Sequence, residues 1–526
     1  MPSKDVARRA DTSRDRLSVR YIPVVEPRRR PVASFLDWLS VVVAAVGLAL
    51  CLRTRSNARF GPLLGLAIPA GRLILNAAYR RRVGAWVAES WRRAEAYARG
   101  EGPIPWRSAL AFVAIPFFLL DVAHHGVLGT FDTRPVVPTA VSLVRDGDFD
   151  LREFEGLNPP LLRKRDGSFC YCFQEVDGRI VSTFQAGMVP FALVTVAPAW
   201  LLGADLDSRK NLQYLEKVSA AMVAALALSL FFLTAARLGS ASAAAVATLF
   251  LATGSGLFTT VGLGLWQHGG VVTWLLAALL VEFASRGEPG WRGSLLQGFA
   301  LAQMLACRPT AGLLVGLFGL WVIVRSPRRG LIVGIAGAAA LVPWVVYYEL
   351  IYRSHLGPAT VNTNVSAELW SFFRLWPTLG ILFSPGRGIF VYQPWAVLAV
   401  AAALVWPRLR RAPELVAGPK GWAAFCLIAV TLHVVLISAW WDWPGGYSYG
   451  SRLATDVVPL LGLLATPAVA VLLKRRAGVG LLAGLVAVGF LVHLPCVANE
   501  AHRWNHDKPR NHWSWSRAPF FYRPPS

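Results

Sequence analysis

Five short stretches of this chain bring together residue types that can do chemistry. They are Phe131-Asp132-Thr133-Arg134-Pro135, Trp266-Gln267-His268, Cys307-Arg308-Pro309-Thr310, Ser384-Pro385-Gly386-Arg387-Gly388, and the run from Trp443 through Tyr447 and Tyr449 to Arg452, with Asp456 beyond it. A carboxylate can take the proton of a hydroxyl group, which is a poor nucleophile until it loses it. Isolated arginines offer forked donors to an anion, and phosphate matches that fork. Each feature also has a plainer reading. Asp132 could cap the helix after it, a single Trp is often a membrane-interface anchor, and Pro-Gly pairs are often only turns.

The elements that must position these residues belong to a membrane. Of 526 residues, 55% are hydrophobic and 16% charged, against roughly 25% charged in a soluble domain. Apolar runs such as Val218–Leu233, Val271–Val281 and Leu331–Val346 recur along the chain. Tandem runs of this kind define an all-α polytopic membrane protein and exclude a secreted enzyme or a disulfide-stapled module. The net charge of +23 is not a nucleic-acid footprint. Arginines cluster beside apolar segments, at Arg80–Arg82, Arg325–Arg329, Arg408–Arg411 and Lys474–Arg476, as the positive-inside rule expects of cytoplasmic flanks.

Residues 1–31, with nine Lys/Arg and four acidic residues, read as a cytoplasmic basic tail. Residues 32–104 read as a hydrophobic hairpin (Phe35–Leu52 and Phe60–Tyr79) followed by an amphipathic interfacial helix over 80–99. Residues 105–498 read as the transmembrane domain, whose first firm span, Ala109–Leu128, runs outward. An external loop, 129–186, follows, with a short amphipathic helix over Thr139–Arg145 and a hairpin, Phe169–Val176 with Arg179–Phe184, turning at Asp177-Gly178. Residues 499–526 form an external tail. Charge parity requires one apolar segment between 187 and 286 not to cross, and 187–203, with Pro190 and Pro198, is the expected one. Arg308, Arg387 and Arg452 then stand at outer span ends, against the positive-inside preference. That placement points to an anionic ligand, with a lipid phosphate as the natural candidate.

The order of these blocks resembles the GT-C superfamily of integral-membrane glycosyltransferases, the type that includes protein mannosyltransferases and lipid A and arabinan transferases. The resemblance covers about 105–460 and rests on Phe131–Pro135, Asp146–Asp150, Leu265–Gly269, Cys307–Thr310, Leu382–Gly388 and Trp443–Arg452. It implies a GT-C-like bundle of about 11–14 transmembrane helices in a bacterial inner (plasma) membrane, with its active site on the outer face. The implied reaction moves a sugar from a polyprenyl-phosphate donor to a cell-envelope acceptor, a glycan, lipid or protein, with inversion. Asp132 occupies the position of the family's general base. Arg134, Arg308, Arg387 and Arg452 are the donor-phosphate candidates. Trp266, Gln267, His268, Tyr447, Tyr449 and Asp148 are candidates for substrate contact, Asp148 as a second acid beside Asp146 and Asp150.

No cofactor is expected. Asp121, His124 and His125 share a helix face, but three such ligands without a fourth make a weak divalent-metal site. The six cysteines are scattered, and Cys170 with Cys172 alone does not make a metal site. Two other functions fit the same composition: a flippase for a lipid-linked saccharide, and a non-catalytic assembly partner of the same fold. A transporter should place charges deep in its spans and show repeats. Convergence of Asp132 with the arginines would favour the enzyme.

Overall fold

The computed structural model describes residues 69–123, 130–157, 160–164, 166–361, 369–416, 418–498, 504–505 and 511–522. The basic tail, the first apolar segment, His124 and His125 lie outside the described residues.

Helix α1, Ala77–Arg99, starts where the Asn76 side chain accepts from the Tyr79 amide at 2.9 Å and stops at Gly100 in the left-handed conformation, φ 86°. It buries Ser90, Ala94, Tyr97 and Ala98 and leaves Trp86 and Val87 exposed, so the 80–99 pattern is a helix with one packed face. A helical stretch follows, Trp106–Ala109 and a π-turn at Leu110–Ala114, running into α2, Ile115–Ala123. Asp121 on α2 receives Lys217 Nζ at 2.9 Å, and both are buried. A carboxylate so engaged is not an open metal ligand.

The loop from 130 onward holds α3, Val136–Arg145, closed by Gly147 at φ 77°. The hairpin pairs β1, Phe173–Val176, with β2, Arg179–Ser182, in the register Val176↔Arg179. Both turn residues have positive φ, Asp177 at 48° and Gly178 at 74°, the mirror-image turn that matches strand twist.

Helix α4, Val189–Leu201, has 13 residues and Pro198 inside it. At 1.5 Å per residue it is about 20 Å long, too short to cross a bilayer core of about 30 Å. Helix α5, Arg209–Ala236, has 28 residues, and 83% of its most apolar window is buried inside the protein. It is the central post. Helix α6, Ala241–Thr253, is followed by a 45° bend into Gly256–Leu263. Then come α7, Gln267–Ala284; α8, Trp291–Cys307; α9, Gly312–Arg325; and α10, Pro327–Tyr352. The last set is α11, Leu375–Phe383; α12, Ala396–Leu404; α13, Trp422–Ala439; α14, Val458–Leu472; and α15, Arg476–Ala498.

The chain is an all-α polytopic membrane protein. Among the described residues six helical segments are long and apolar enough to span, seven if the bent 241–263 pair is one span, and three shorter apolar helices accompany them. Among the described residues this is fewer than the 11–14 that the resemblance implies. Several of the apolar runs fold as short or broken helices, interrupted at Pro or Gly, as at Gly254-Ser255. Only 11% of the apolar window of α10 and 22% of that of α15 are buried in protein. Apolar yet uncovered, these faces suit lipid.

One buried carboxylate ties three helices at the basic end. Glu282 on α7 pairs with Arg325 on α9, with Arg329 on α10 at 2.7 Å, and accepts from Gln297 on α8 at 2.9 Å. Removing one partner of such a buried network leaves uncompensated charge. Glu282→Gln should therefore destabilise by on the order of 3 kcal/mol. Thermal unfolding in nanodiscs should show a drop of several degrees, and an unchanged midpoint would refute the anchoring role.

Candidate active site

The residues singled out in the sequence sit at helix ends. Asp132 lies in the turn that leads into α3. Trp266 is the residue before α7, with His268 in its first turn. Arg308 ends α8 in an extended conformation, φ −159°, ψ 123°, and the Pro309–Ala311 turn after it prevents the helix from continuing. Arg452 opens a 3₁₀ helix, Arg452–Val457, that leads into α14.

These ends converge. Arg452 donates to Asp132 Oδ2 at 2.7 Å, and the Tyr171 hydroxyl donates to Asp132 Oδ1. The Arg452 guanidinium lies over the Trp266 ring, 4.3 Å from its centroid. One turn deeper, Asp456 is fully buried. It pairs with His268 Nδ1 at 2.7 Å and Arg308 at 2.7 Å, and His433 stands 3.8 Å away. Arg308 also reaches His268 Nδ1 at 3.0 Å. The two clusters are close enough that Arg452 and Asp132 both act on the Arg308 charge. Asp132 keeps 24% of its side chain exposed and Arg452 12%, while Asp456 has none. The Asp132–Arg452 pair thus keeps surface that Asp456 lacks.

Tyr171 is itself 41% exposed. Desolvation, then the Asp132 carboxylate, raise its hydroxyl well above the ordinary range. It therefore stays protonated and remains a donor to Asp132.

Other predicted residues sit apart from this centre. Arg134 is stacked 4.3 Å over Phe131 and donates to the Leu161 carbonyl at 3.1 Å and to Cys170 Sγ at 3.3 Å. The Cys172 thiol, aided by that guanidinium, holds the Cys170 thiol below its usual range. Arg387 is buried, and its donors reach the carbonyls of Pro444 at 2.6 Å, Gly446 at 3.0 Å and Gly386 at 3.2 Å, and the Asn505 side chain. It stitches the 384–388 and 443–451 loops to the C-terminal segment, yet it also borders, with Arg452 and Trp443, a small open cleft. Asp148 accepts from Ser142 at 2.8 Å and from the Asp150 amide at 3.0 Å, a turn-stabilising role. Tyr449 is buried and donates to the Val492 carbonyl at 2.6 Å, whereas Tyr447 is exposed.

Two buried donors at the centre have no hydrogen-bond partner, Arg452 Nε and Trp266 Nε1. Buried polar groups are almost always paired, so such a group calls for an explanation. A ligand rich in acceptor oxygens would supply the missing partners.

The sequence reading missed Tyr171, the hub role of Asp456, and Glu216. Glu216 lies on α5, buried, and accepts from the Leu265 amide at 3.3 Å. It stands just before the apolar run Val218–Leu233, and a carboxyl in such a helix is itself a signal of function.

The two carboxylates should separate by stability. Asp456→Asn leaves Arg308 buried without its counter-charge and should cost on the order of 3–5 kcal/mol. Asp132→Asn, at the exposed pair, should cost about 1 kcal/mol or less. Paired thermal melts would test this, and equal losses would remove the distinction between scaffold and working carboxylate. No protein-family model matches the chain, and none of the curated proteins is significantly similar to it.

Proposed function

We propose that the chain is a GT-C-type membrane glycosyltransferase, moving a sugar from a polyprenyl-phosphate donor to a cell-envelope acceptor at the outer face. The observation that carries this reading is the meeting of Asp132 with Arg452, Trp266, Arg308 and His268, from four separate parts of the chain, around donors that lack partners.

In this reading Asp132 accepts the proton of the acceptor hydroxyl. The hydroxyl oxygen attacks the anomeric carbon, the bond from that carbon to the phosphate oxygen breaks, and the phosphate leaves with the electron pair. A single displacement inverts the anomeric centre. Arg452 Nε is offered to the developing phosphate charge, with Arg308 behind it, where fixed donors are worth most. Tyr171 and Arg452 hold the two Asp132 oxygens, and each oxygen retains a lone pair for the incoming proton. Arg134 and Arg387 act as positioning residues, the first on the 131–135 turn and the second on the loops around the cleft. The acceptor and the sugar meet Asp132 from the outer loops.

Asp132→Asn keeps shape and most hydrogen bonding but cannot take the proton. Transfer from a synthetic polyprenyl-phosphate sugar in nanodiscs should fall about 10²–10⁴-fold, with the melting behaviour nearly unchanged. Near wild-type transfer would sink the base assignment and favour a non-catalytic partner role.

The reading also fixes sidedness, with the N-terminus cytoplasmic. The cysteines at 170, 172, 307, 426 and 496 are all buried, so a new surface thiol can be read cleanly once Cys51 is changed to Ser. An impermeant maleimide on intact cells should label Glu175→Cys and not Arg475→Cys, both exposed positions. The reverse pattern would place the site on the cytoplasmic face, out of reach of an outer-leaflet donor.

A further inference from the structure

The two halves of α1 differ in charge and in surroundings. The C-terminal half is docked. Ser90, Ala94, Tyr97 and Ala98 are buried, Trp91 packs on Phe112 at 5.4 Å, and the Ser108 hydroxyl donates to the Ser90 carbonyl. Arg237, which caps α5, donates to the Tyr97 carbonyl at 2.6 Å, and Ser242 at the start of α6 donates to Glu95 at 3.5 Å. Both are ends of apolar helices, so α1 is tied in at headgroup depth. Every arginine of this half has a carboxylate: Glu89 takes Arg92 at 2.7 Å and Arg93 at 2.9 Å, and Glu101 takes Arg99 at 2.8 Å. The N-terminal half, residues 77–88, leaves the bundle. None of its residues is buried, and none is acidic. At 3.6 residues per turn Tyr79, Val83, Trp86 and Val87 fall on the same side as Ser90, Ala94 and Tyr97. The side that the bundle covers over 90–98 therefore runs on uncovered over 79–87. Ile74 and Leu75, just before α1, are 73% and 85% exposed.

The three adjacent arginines of this half are not equivalent. Arg80 is used internally: it donates to the Leu73 carbonyl at 3.0 Å and to the Ile74 carbonyl, closing the turn into α1. Arg81 and Arg82 are exposed, and among the described residues neither forms an ion pair. An uncovered apolar side flanked by unneutralised arginines, at the depth where helices end, matches a membrane interface: the apolar side enters the acyl boundary, the arginines reach the phosphates, and a Trp sits between. We infer that residues 77–88 form an arm lying on the leaflet at the basic end of the bundle. Arg81 and Arg82 hold anionic phospholipid there, and Val83, Trp86 and Val87 seat among the upper acyl chains. Charge makes the contact selective, because a zwitterionic headgroup offers these arginines no net attraction. The assignment is independent of the glycosyltransferase reading, since no residue near Asp132 or Arg452 takes part.

The test uses the full-length protein with Cys51→Ser and an environment-sensitive dye on Val87→Cys. It is placed in nanodiscs of phosphatidylcholine alone, or of phosphatidylcholine and phosphatidylglycerol in equal parts. Doxyl-labelled phosphatidylcholine in both discs is the quencher, and the same dye on Ala85→Cys, on the opposite side of the helix, is the control. Quenching at 87 should be strong with phosphatidylglycerol and weak without it, and should fall as salt rises. The dye at 85 should stay unquenched in both. Each arginine at an anionic surface contributes roughly fivefold to such an equilibrium, so Arg81→Gln together with Arg82→Gln should lower the docked-to-free ratio about 25-fold. Arg80 is kept because it closes the turn, and the double variant should melt as wild type does in phosphatidylcholine. Equal quenching at 87 in the two lipids, or a double variant that keeps the lipid dependence, would overturn the assignment. Low quenching in both would leave this surface to solvent or to a protein partner.

Discussion

The arrangement depends on one buried carboxylate. Asp456 has no exposed side-chain surface and is compensated by Arg308 and His268 at 2.7 Å each. Desolvating a carboxylate costs several kcal/mol, and only close, well-placed partners offset it. The partners come from different places: the end of α8, the start of α7 and, through His433, the interior of α13. Because each must arrive for the charge to be tolerated, Asp456 sets the relative height of these helices. The winding around it matters equally. Residues 452–457 form a 3₁₀ helix, with 3.0 residues per turn. Positions four apart then point about 120° away from each other. In an α-helix Arg452 and Asp456 would lie on one face and could pair with each other. Wound as 3₁₀, Asp456 turns inward to Arg308 while Arg452 turns outward to Asp132.

Local signals were legible in the sequence. The Asp177-Gly178 pair gives the hairpin, and both residues have the positive φ that the turn needs. The pattern over 80–99 gives α1, and the Pro-bearing 187–203 segment is indeed short. The blocks at Asp132, Trp266–His268, Arg308 and Arg452 were each visible because charged and aromatic residues stand beside apolar runs. What could not be read was how they meet. Arg452 and Asp132 are 320 residues apart and Asp456 and His268 are 188 apart, so no periodicity links them.

Arg387 shows the limit of a residue-type argument. A lone arginine beyond an apolar run is equally suited to holding an anion and to satisfying loop carbonyls, and Arg387 is held by three carbonyls and an asparagine. Glu216 shows the opposite error. It sits at the head of a long apolar stretch and is easily passed over as the solvated end of a helix, yet α5 is buried along most of its length and carries Glu216 inside with it. Among the described residues the spans fall short of the count that the resemblance implies for a similar reason. An apolar run fixes burial but not length or straightness, and the 45° bend after Thr253 follows from a Gly-Ser step that a hydropathy window averages away.

The C-terminal segment carries a consequence for biogenesis. Asn505 bonds Arg387 and the Ser448 carbonyl, the His512 carbonyl accepts from the Gly386 amide at 3.0 Å, and Trp513 packs on Trp376 at 4.5 Å. These residues leave the ribosome after every spanning helix described above. The loops at 384–388 and 443–451 must therefore wait, without their clamp, until the segment behind α15 has been made. Assembly of this region thus depends on residues made after the helices they clamp, so a nascent chain stalled before them would leave a bundle whose surface loops are unfinished.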